Sequence, residues 1–371
     1  MGELLADHTT LRLGGPADRF LTHRDPDTWS DLTRDIHQSP APLYVLGGGS
    51  NTIAADTPFR GTVLRIATHG IHTRILDNEL VELTVHAGHP LCDLVAYTIA
   101  EGLSGIEYLG GIPGTAGAAP VQNTGAYGQQ ISDVLTRLTA YDWHLGHLVE
   151  LRPVDCGFGY RTSIFKDRPG RWTILTITVV LARSTSAAPV SYPHLADILG
   201  VPLGAQPPLT EAAHGVLADR SNRGLSLPAS GPDALQVGSV FLNPTITGHQ
   251  ARAVRAAGGP VNRSQGSGLR ASAGWLLESA GYRPGAQVAP GVYCSSRRTL
   301  TLTARRGATS ASFDAALRTL AACVFSATTI RLTPEPRRPS SDSTPPSART
   351  GRANFPVQQR TSRSDGYVES L

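Results

Sequence analysis

Apolar residues recur along this chain with two different periods, and each period predicts a different kind of element. Apolar and polar positions alternate through residues 62–87, which predicts two strands joined by a hairpin turn at Asp77 and Asn78. Further along, apolar residues spaced three and four apart predict a helix that begins after Pro90 and ends at Gly102. Both local periods are therefore present in the first third of the chain.

The same two periods place elements along the rest of the sequence. Helices are predicted at 28–36, 209–219, 249–257, 271–279 and 310–324. Strands are predicted at 43–46, 135–151 (a hairpin turning at 144–146), 172–181, 240–242, 299–303 and 329–332. Because 39 glycines and 27 prolines also commit many positions to turns, the pattern indicates a loop-rich α+β architecture.

The 371 residues exceed one ordinary domain, so several folded units are expected. The composition shifts to Ser, Thr and Ala at 182–189, which marks a boundary or linker. We predict two subdomains at 1–60 and 61–184, a further α+β domain at 185–336, and a disordered Pro-, Ser- and Arg-rich tail at 337–371.

The formal charge of +4 does not indicate a nucleic-acid partner. Six arginines against three acidic residues after Pro336 give the tail +3, which leaves the rest of the chain near neutrality. A folded body of that charge lacks the basic face that follows a phosphate backbone. We therefore expect no nucleic acid among the partners.

The four cysteines are far apart and have no CxxC or Cys/His spacing. This pattern predicts reduced thiols without a disulfide framework, and no metal site. The N-terminus lacks the charged and apolar regions of a secretory signal, and no apolar run approaches the roughly 18 residues needed to span a bilayer. We expect a cytoplasmic protein without a membrane partner.

Two glycine-rich loops are candidates for a cofactor site. The predicted strand at 43–46 ends in GGGSN, and glycine recurs every third residue in GIPGTAG, residues 111–117. Backbone N–H groups of such loops can converge on an anion because no Cβ blocks the approach. No GxGxxG opens a helix here and no GxxxxGK[ST] is present, so incidental tight turns stay the alternative to an extended diphosphate cofactor.

Three short segments carry reactive side chains. In FGYRTSIFK, residues 158–166, Arg161 can clamp a carboxylate and Lys166, the only lysine, can act as a point charge for phosphate. Ser239 follows a glycine in GSVFLNP, and Glu335 stands between two prolines. A surface turn, a strand start and a chain-exit turn explain the same residues equally well, so these segments alone identify no reaction.

The order of the motifs resembles the UDP-N-acetylenolpyruvoylglucosamine reductases, also called UDP-N-acetylmuramate dehydrogenases, of type I. The resemblance covers about residues 7 to 336 and rests on HTTLRLGGPA, PLYVLGGGSN, GIEYLGGIPGTAGAAPVQNTGAYG, FGYRTSIFK, GSVFLNP, AGWLLESAG and PEP. It implies an FAD-binding domain of the vanillyl-alcohol-oxidase type, built of two subdomains, and a smaller α+β substrate domain.

The resemblance also implies an activity. NADPH reduces the FAD, leaves, and is replaced by UDP-N-acetylglucosamine enolpyruvate. A hydride then passes to C3 and a proton from Ser239 to C2, giving UDP-N-acetylmuramate for peptidoglycan synthesis and hence for cell-wall growth, cell shape and division. The implied partner is a small-molecule substrate, and we expect a monomer.

Individual residues take roles from the matching motifs. Ser239, Arg161 and Glu335 fall on the family's catalytic positions. The implied FAD-binding residues are Gly47, Gly48, Gly49, Ser50, Asn51, Gly111, Ile112, Pro113, Gly114, Gly117 and Ala118. The implied substrate-binding residues are Tyr160, Lys166, Tyr192 and Asn243.

The chain departs from the family pattern at two positions. Val240 replaces the first Phe of the usual GSFF, and Arg223 stands where a lysine is often found. Neither change removes a catalytic residue, although both leave open a diverged paralogue. Two other hypotheses remain: a flavin oxidase or dehydrogenase of the same cofactor fold acting on an alcohol or hydroxy acid, and a non-enzymatic nucleotide-binding module with a basic tail.

Overall fold

The computed structural model describes residues 2–39, 41–227, 230–264 and 268–340. The predicted disordered tail therefore lies outside the described residues, except for its first four. The first of those four, Arg337, is packed against the body of the protein, where it pairs with Thr52 in a parallel bridge. Ordered structure thus continues beyond the predicted start of the tail.

The N-terminal part contains a three-stranded parallel sheet. Its strands are Ala17–His23 (β1), Leu43–Leu46 (β2) and Phe59–Ile66 (β3), in the order β1-β3-β2, and Trp29–Gln38 (α1) connects the first two. Strand β2 ends at the residue before GGGSN, as the sequence predicts. The parallel arrangement brings the carboxyl end of β2 to the sheet edge where this glycine loop begins.

A larger antiparallel sheet follows. Its strands are Ile71–Ile75 (β4), Leu80–His86 (β5), Leu103–Ser104 (β6), Leu135–Asp142 (β9), His147–Leu151 (β10) and Trp172–Arg183 (β11). The order is β10-β9-β11-β5-β4, with β6 beside β11. The predicted hairpin turn is confirmed, since Asp77 Oδ1 accepts hydrogen bonds from the backbone N–H groups of Glu79 and Leu80, both at 2.8 Å.

Shorter elements surround this sheet and carry the second glycine loop. They are Leu91–Ala100 (α2), Gly125–Ala126 (β7), Gln129–Gln130 (β8) and Ile164–Asp167 (α3). Buried apolar side chains of α2, β5, β9 and β11 form one core, which includes Leu83, Leu94, Leu138 and Ile177 at 0% exposure. The glycine-rich segment at 110–128 is thus attached to a rigid support.

Helices Pro193–Leu199 (α4) and Leu209–Asn222 (α5) pack against that segment. Tyr127 from it and Tyr108, which lies just before it, join Leu195 and Val216 of the helices in one buried cluster. The predicted linker at 182–189 is part of this packing, because Ala188 accepts a hydrogen bond from the Tyr108 hydroxyl at 2.5 Å. The helices consequently lie against the loop that the sequence assigns to the cofactor.

The C-terminal part has two small antiparallel sheets. Strands Gln236–Ser239 (β12), Gln287–Ala289 (β16), Val292–Cys294 (β17) and Thr301–Ala304 (β18) form one, in the order β12-β18-β17-β16. Strands Thr245–Ile246 (β13), Val261–Ser264 (β14) and Gly268–Ala271 (β15) form the other. Helices Gly248–Ala256 (α6), Ala273–Ser279 (α7) and Ser310–Thr328 (α8) complete a core that also buries Leu11 and Ile53 from the N-terminal part.

Two predicted strands are wrong. Strand β12 ends at Ser239, after Gly238 with φ 72° and a bulge in its pairing with β18, and the backbone of residues 240–242 bonds to residues 333–335 instead. The strand expected at 329–332 is not regular structure. Thr329 has φ 58° and ends α8, and the apolar alternation that follows arises because Ile330 and Leu332 pack into the core.

The cysteines, the possible metal ligands and the helix lengths bear on the chemistry. All four cysteines are free, with Cys156 and Cys294 buried. Within the ranges that the structure describes, no three His, Cys, Asp or Glu side chains group as metal ligands would. In the same part of the chain, every helix is too short or too polar to cross a membrane. The predicted domain limits remain predictions.

Candidate active site

The two glycine loops face each other across one cleft. A Cβ atom added to Gly48 would lie only 3.2 Å from Gly114 Cα. Ser50 Oγ donates a hydrogen bond to Pro113 O at 3.2 Å, and Asn51 Nδ2 donates to Gln122 Oε1 at 2.7 Å. We call the space between these loops the cofactor cleft; it is lined by residues 44–52, 113–115, 118, 119, 121, 122 and 124, together with Leu91, Lys166 and Arg337.

The cleft continues in both directions. Beyond Gly47 it opens between Phe165, Trp172 and Ile174, an apolar end. On the other side it meets a junction cavity, since Ser50, Asn51, Pro113, Gln122 and Thr124 line both spaces. Of the residues predicted to bind FAD, all but Gly111 line one of these spaces.

Gly111 and Gly117 serve packing. The Gly111 carbonyl accepts a hydrogen bond from Arg220 Nη2 at 3.2 Å, and φ of Gly111 is 71°. A Cβ atom on Gly117 would lie 2.4 Å from the Cβ of Ala87. These glycines therefore let the second loop lie close to its supports.

Arg161 is held at the junction cavity by a tight backbone turn. Its φ of 55° lies in the left-handed region, and Gly159 and Thr162 exchange backbone hydrogen bonds around it. Arg161 Nη2 donates to Gly125 O at 2.7 Å, and Lys166 Nζ donates to the Arg161 carbonyl at 2.8 Å. A strained non-glycine residue that is fixed by several bonds is a feature of functional sites.

Glu335 forms an ion pair with Arg161, with Oε1 3.4 Å from Nε. Burial raises the pKa of the Glu335 carboxyl, although the positive charges of Arg161, Lys166 and Arg298 act in the opposite direction. The backbone N–H of Glu335 donates to Val240 O at 3.0 Å, which ties the PEP segment to the residue after Ser239. The three predicted catalytic residues thus lie together.

An outer cavity opens from the junction cavity toward the C-terminal part. The residues that line both spaces are Arg161, Tyr192, Arg223, Ser239 and Glu335. Tyr160 and Asn243 line the outer cavity only. Lys166 lines the cofactor cleft, so the structure places this predicted substrate ligand on the cofactor side.

Tyr160 and Asn243 are also bound to the protein. The Arg270 guanidinium lies 4.0 Å above the Tyr160 ring. Asn243 Oδ1 accepts a hydrogen bond from the backbone N–H of Ala273, the first residue of α7, at 2.9 Å. Both side chains are therefore fixed in place at the wall of the outer cavity.

Four further residues contribute to the site but lie outside the motifs, namely Asp219, Arg220, Arg298 and Arg337. Asp219 and Arg220 are buried on the last turn of α5. They precede Arg223 by four and three residues, a spacing that places side chains on one face of a helix, so the predicted helix could have indicated that they lie near Arg223. Arg298 follows an exposed loop, and Arg337 was assigned to the tail. No sequence feature marks either as part of the site.

The residues of the cleft fit FAD. Backbone faces backbone at Gly48 and Gly114, so an added Cβ would occupy the space where phosphates approach N–H groups. Lys166 and Arg337 supply positive charge beside these loops, and the apolar end at Trp172 suits an aromatic ring system. An extended dinucleotide can lie along this path and reach the junction cavity.

Comparisons with known proteins agree with this arrangement. A family model described as "FAD binding domain" matches residues 17–152, and one described as "UDP-N-acetylenolpyruvoylglucosamine reductase, C-terminal domain" matches residues 231–338. The reductase of Thermobifida fusca is 40% identical over 341 residues, which cover 90% of this chain and 95% of that protein. The reductase of Streptomyces coelicolor is 40% identical over 342 residues, 90% and 88% of the two chains.

A solved structure shares the fold. The UDP-N-acetylenolpyruvylglucosamine reductase of Thermus caldophilus superimposes with a TM-score of 0.60 at 24% identity, over 91% of this chain and 97% of that one. Fold, cleft and matches together define a flavoprotein, an FAD-dependent oxidoreductase with a separate C-terminal α+β unit. More particularly, the chain belongs to the UDP-N-acetylenolpyruvoylglucosamine reductase family. The predicted family, fold class and enzyme class are confirmed, which favours the reductase over the oxidase and the non-enzymatic module.

Proposed function

We propose that this chain reduces UDP-N-acetylglucosamine enolpyruvate to UDP-N-acetylmuramate in peptidoglycan precursor synthesis, with NADPH as the reductant. Family membership supports the substrate class. The observation that carries the proposal is the position of Ser239 and the Arg161–Glu335 pair, where the path from the cofactor cleft opens into the outer cavity. A substrate reaching in from the outer cavity would meet these groups and the cofactor at the same point.

FAD, once it is bound and has been reduced by NADPH, would supply a hydride to C3 of the enolpyruvyl group. The double bond then needs a proton at C2, where negative charge develops and spreads into the carboxylate. Arg161 is fixed through Gly125 and Glu335, so its guanidinium is already oriented toward such charge. Preorganised charge of this kind lowers the barrier without reorganisation during the reaction.

Ser239 Oγ is the proposed proton donor to C2. A serine hydroxyl is a weak acid in water, but a carbanion is far more basic and can accept its proton. Glu335 lines the same two cavities, and its raised pKa makes it a better proton reservoir than an exposed carboxyl. Arg161 and Glu335 are thus the neighbours proposed to stabilise the deprotonated serine and to restore its proton.

Anaerobic spectroscopy of the purified holoenzyme tests this function. Addition of NADPH should bleach the flavin absorbance, and later addition of the enolpyruvyl UDP-sugar should restore it with one equivalent of UDP-N-acetylmuramate formed. Bleaching without recovery would contradict the proposed substrate. Bleaching of the flavin by an alcohol or hydroxy acid in place of NADPH, with recovery of the absorbance on admission of oxygen, would instead support the oxidase hypothesis.

A further inference from the structure

Four arginines line the outer cavity, and three of them already have partners. Arg161 pairs with Glu335, Arg223 Nη1 lies 3.1 Å from Asp219 Oδ2, and Arg297 Nη1 donates to Asn222 O at 2.9 Å. Arg298 differs from these. Its Nη1 atom is shielded from solvent and has no hydrogen-bond partner among the residues that the structure describes.

An unpaired guanidinium nitrogen in such a place is costly for the protein. A buried donor without an acceptor costs on the order of 1–3 kcal/mol, and more when the group is charged. Burial, reinforced by the positive charges of Arg223 and Arg220, lowers the pKa of Arg298 to about 10. This value is still well above neutrality, so the side chain keeps its charge and an anion would relieve the cost.

The loop before Arg298 is rigid. Asp233 accepts hydrogen bonds from the backbone N–H of Ser296 at 3.0 Å and from its hydroxyl at 2.7 Å. Ser295 Oγ accepts from the backbone N–H of Arg297 at 3.1 Å, and β18 begins at Thr301. Because Arg298 follows this hydrogen-bonded loop and precedes a strand, its backbone is fixed before any ligand binds.

We propose that Arg298 binds an anionic oxygen group of the UDP-linked substrate, which is either the enolpyruvyl carboxylate or the diphosphate. The inference rests on the proposed function and adds to it a substrate-binding residue. Both groups are oxyanions that a guanidinium can hold with two parallel hydrogen bonds. Arg298 shares the outer cavity with Ser239 and Glu335 on one side and with Arg223 on the other, so either group lies within the region it lines.

Binding to the oxidised holoenzyme tests the proposal. The variants are Arg298→Met, which removes the charge, and Arg298→Lys, which keeps it without the planar fork. Arg306→Met is the matched control, because this exposed arginine lies beyond the other end of β18 and lines none of the cavities. UDP-N-acetylglucosamine carries only the diphosphate, whereas UDP-N-acetylmuramate carries the diphosphate and the carboxylate, and each is titrated against the change in flavin absorbance.

Arg298→Met should keep its FAD and bind UDP-N-acetylmuramate about tenfold or more weakly, with Arg298→Lys intermediate and Arg306→Met unchanged. An equal loss for UDP-N-acetylglucosamine assigns Arg298 to the diphosphate, and unchanged binding of that sugar assigns it to the carboxylate. Affinities within about twofold of wild type for both sugars, or loss of FAD from the variant, would overturn the proposal. A wild-type protein that binds neither sugar would reject the proposed function itself, a result distinct from an unaffected variant.

Discussion

The Tyr127 hydroxyl donates a hydrogen bond to Asp219 Oδ2 at 2.6 Å, which joins the second glycine loop to helix α5. The same carboxylate accepts from Arg223 Nη1 at 3.1 Å and lies 3.2 Å from His194 Nε2. Tyr192, the residue immediately before α4, packs edge-on against Tyr127, with 6.2 Å between the ring centroids. One buried carboxylate therefore orients side chains from the cofactor loop and from the wall of both substrate-side cavities.

Replacement of Asp219 by Asn should raise KM for the UDP-linked substrate about tenfold and change kcat little. The reason is that Asp219 positions Arg223 and Tyr192 and does not line the cavities itself. Steady-state kinetics would show the split between KM and kcat. The control is Asp197→Asn, an exposed position on α4. A fall in kcat at unchanged KM would contradict a positioning role.

Replacement of Gly48 by Ala should weaken FAD binding roughly tenfold. The backbone of Gly48 does not need a positive φ, so alanine fits the loop, but its Cβ would lie 3.2 Å from Gly114 Cα inside the cofactor cleft. The ratio of flavin to protein absorbance and FAD titration of the apoprotein measure the effect. Gly248→Ala is the control, since its Cβ meets only a distant atom of Arg252 at 4.0 Å. Full flavin content in Gly48→Ala would show that the loops do not enclose the cofactor.

The sequence predicts correctly those strands and turns that are determined by residues close to one another in the chain. The strand that ends at Leu46 and the turn at Asp77 are examples, because apolar spacing and Asp/Asn turn chemistry act within a few residues. The strand prediction at 240–242 is wrong because the backbone of these residues bonds to residues 333–335, which are distant in sequence, and does not extend β12. Gly238 with its positive φ was the signal for that break.

In the candidate site, too, the local motifs could be predicted from the sequence and the long-range contacts could not. The motifs identify Arg161, Ser239 and Glu335, and the structure brings them to one cavity. The bond from Tyr127 to Asp219 could not be predicted, since it connects residues far apart in sequence and no periodicity relates them. The ordered position of Arg337 could not be predicted either, because its bonds to Asn51 and Ile53 are made by its backbone and do not depend on the residue type.

Acid stability should depend on Asp142, which is 2% exposed. Burial alone raises the pKa of its carboxyl, but hydrogen bonds from Arg171 and from the backbone N–H groups of Leu145 and His144 outweigh that effect and hold the pKa below its ordinary value of 3.8. Because the folded pKa is depressed, the stabilisation is complete above the unfolded pKa and is lost as pH falls through the folded pKa.

Asp142→Asn should therefore lose about 3 kcal/mol of unfolding free energy at pH 7, and the deficit should shrink as pH falls below about 4. Urea denaturation at a series of pH values measures the deficit in unfolding free energy and its dependence on pH. Asp31→Asn removes an exposed partner of Arg34 and should stay within about 0.5 kcal/mol of wild type. A deficit that is the same at every pH would mean that the Asp142 charge contributes nothing.

Ser239→Ala should leave flavin reduction by NADPH intact and slow the reduction of the enolpyruvyl sugar about 10³-fold. The variant removes only the hydroxyl proposed to protonate C2, and the ladder contact of residue 239 with Thr301 is made by the backbone. Stopped-flow measurement of the two half-reactions separates them. Ser30→Ala, at an exposed position of α1, is the control. Normal rates in both half-reactions would exclude Ser239 as the proton donor.

Residues 333–337, which we call the C-terminal strap, cross from the substrate side to the cofactor cleft. Leu242 N–H donates to Thr333 O at 3.0 Å, and beyond Glu335 the Arg337 backbone N–H donates to Asn51 O at 2.8 Å. Ile53 N–H returns a bond to Arg337 O at 2.9 Å. The strap thus fixes Glu335 between two anchored ends and braces the chain that follows the first glycine loop.

A chain that ends after Ser340 should accordingly retain FAD and full turnover, whereas one that ends after Pro336 should bind FAD at least about tenfold more weakly because both bonds to the loop at Asn51 and Ile53 are absent. Arg337→Ala separates the contributions: it keeps the backbone bonds and removes the side-chain bond to Lys166 O together with the positive charge beside the glycine loops. FAD titration of the three apoproteins and their turnover give the comparison. If the chain ending after Pro336 binds FAD as tightly as the one ending after Ser340, the strap does not support the cofactor loop.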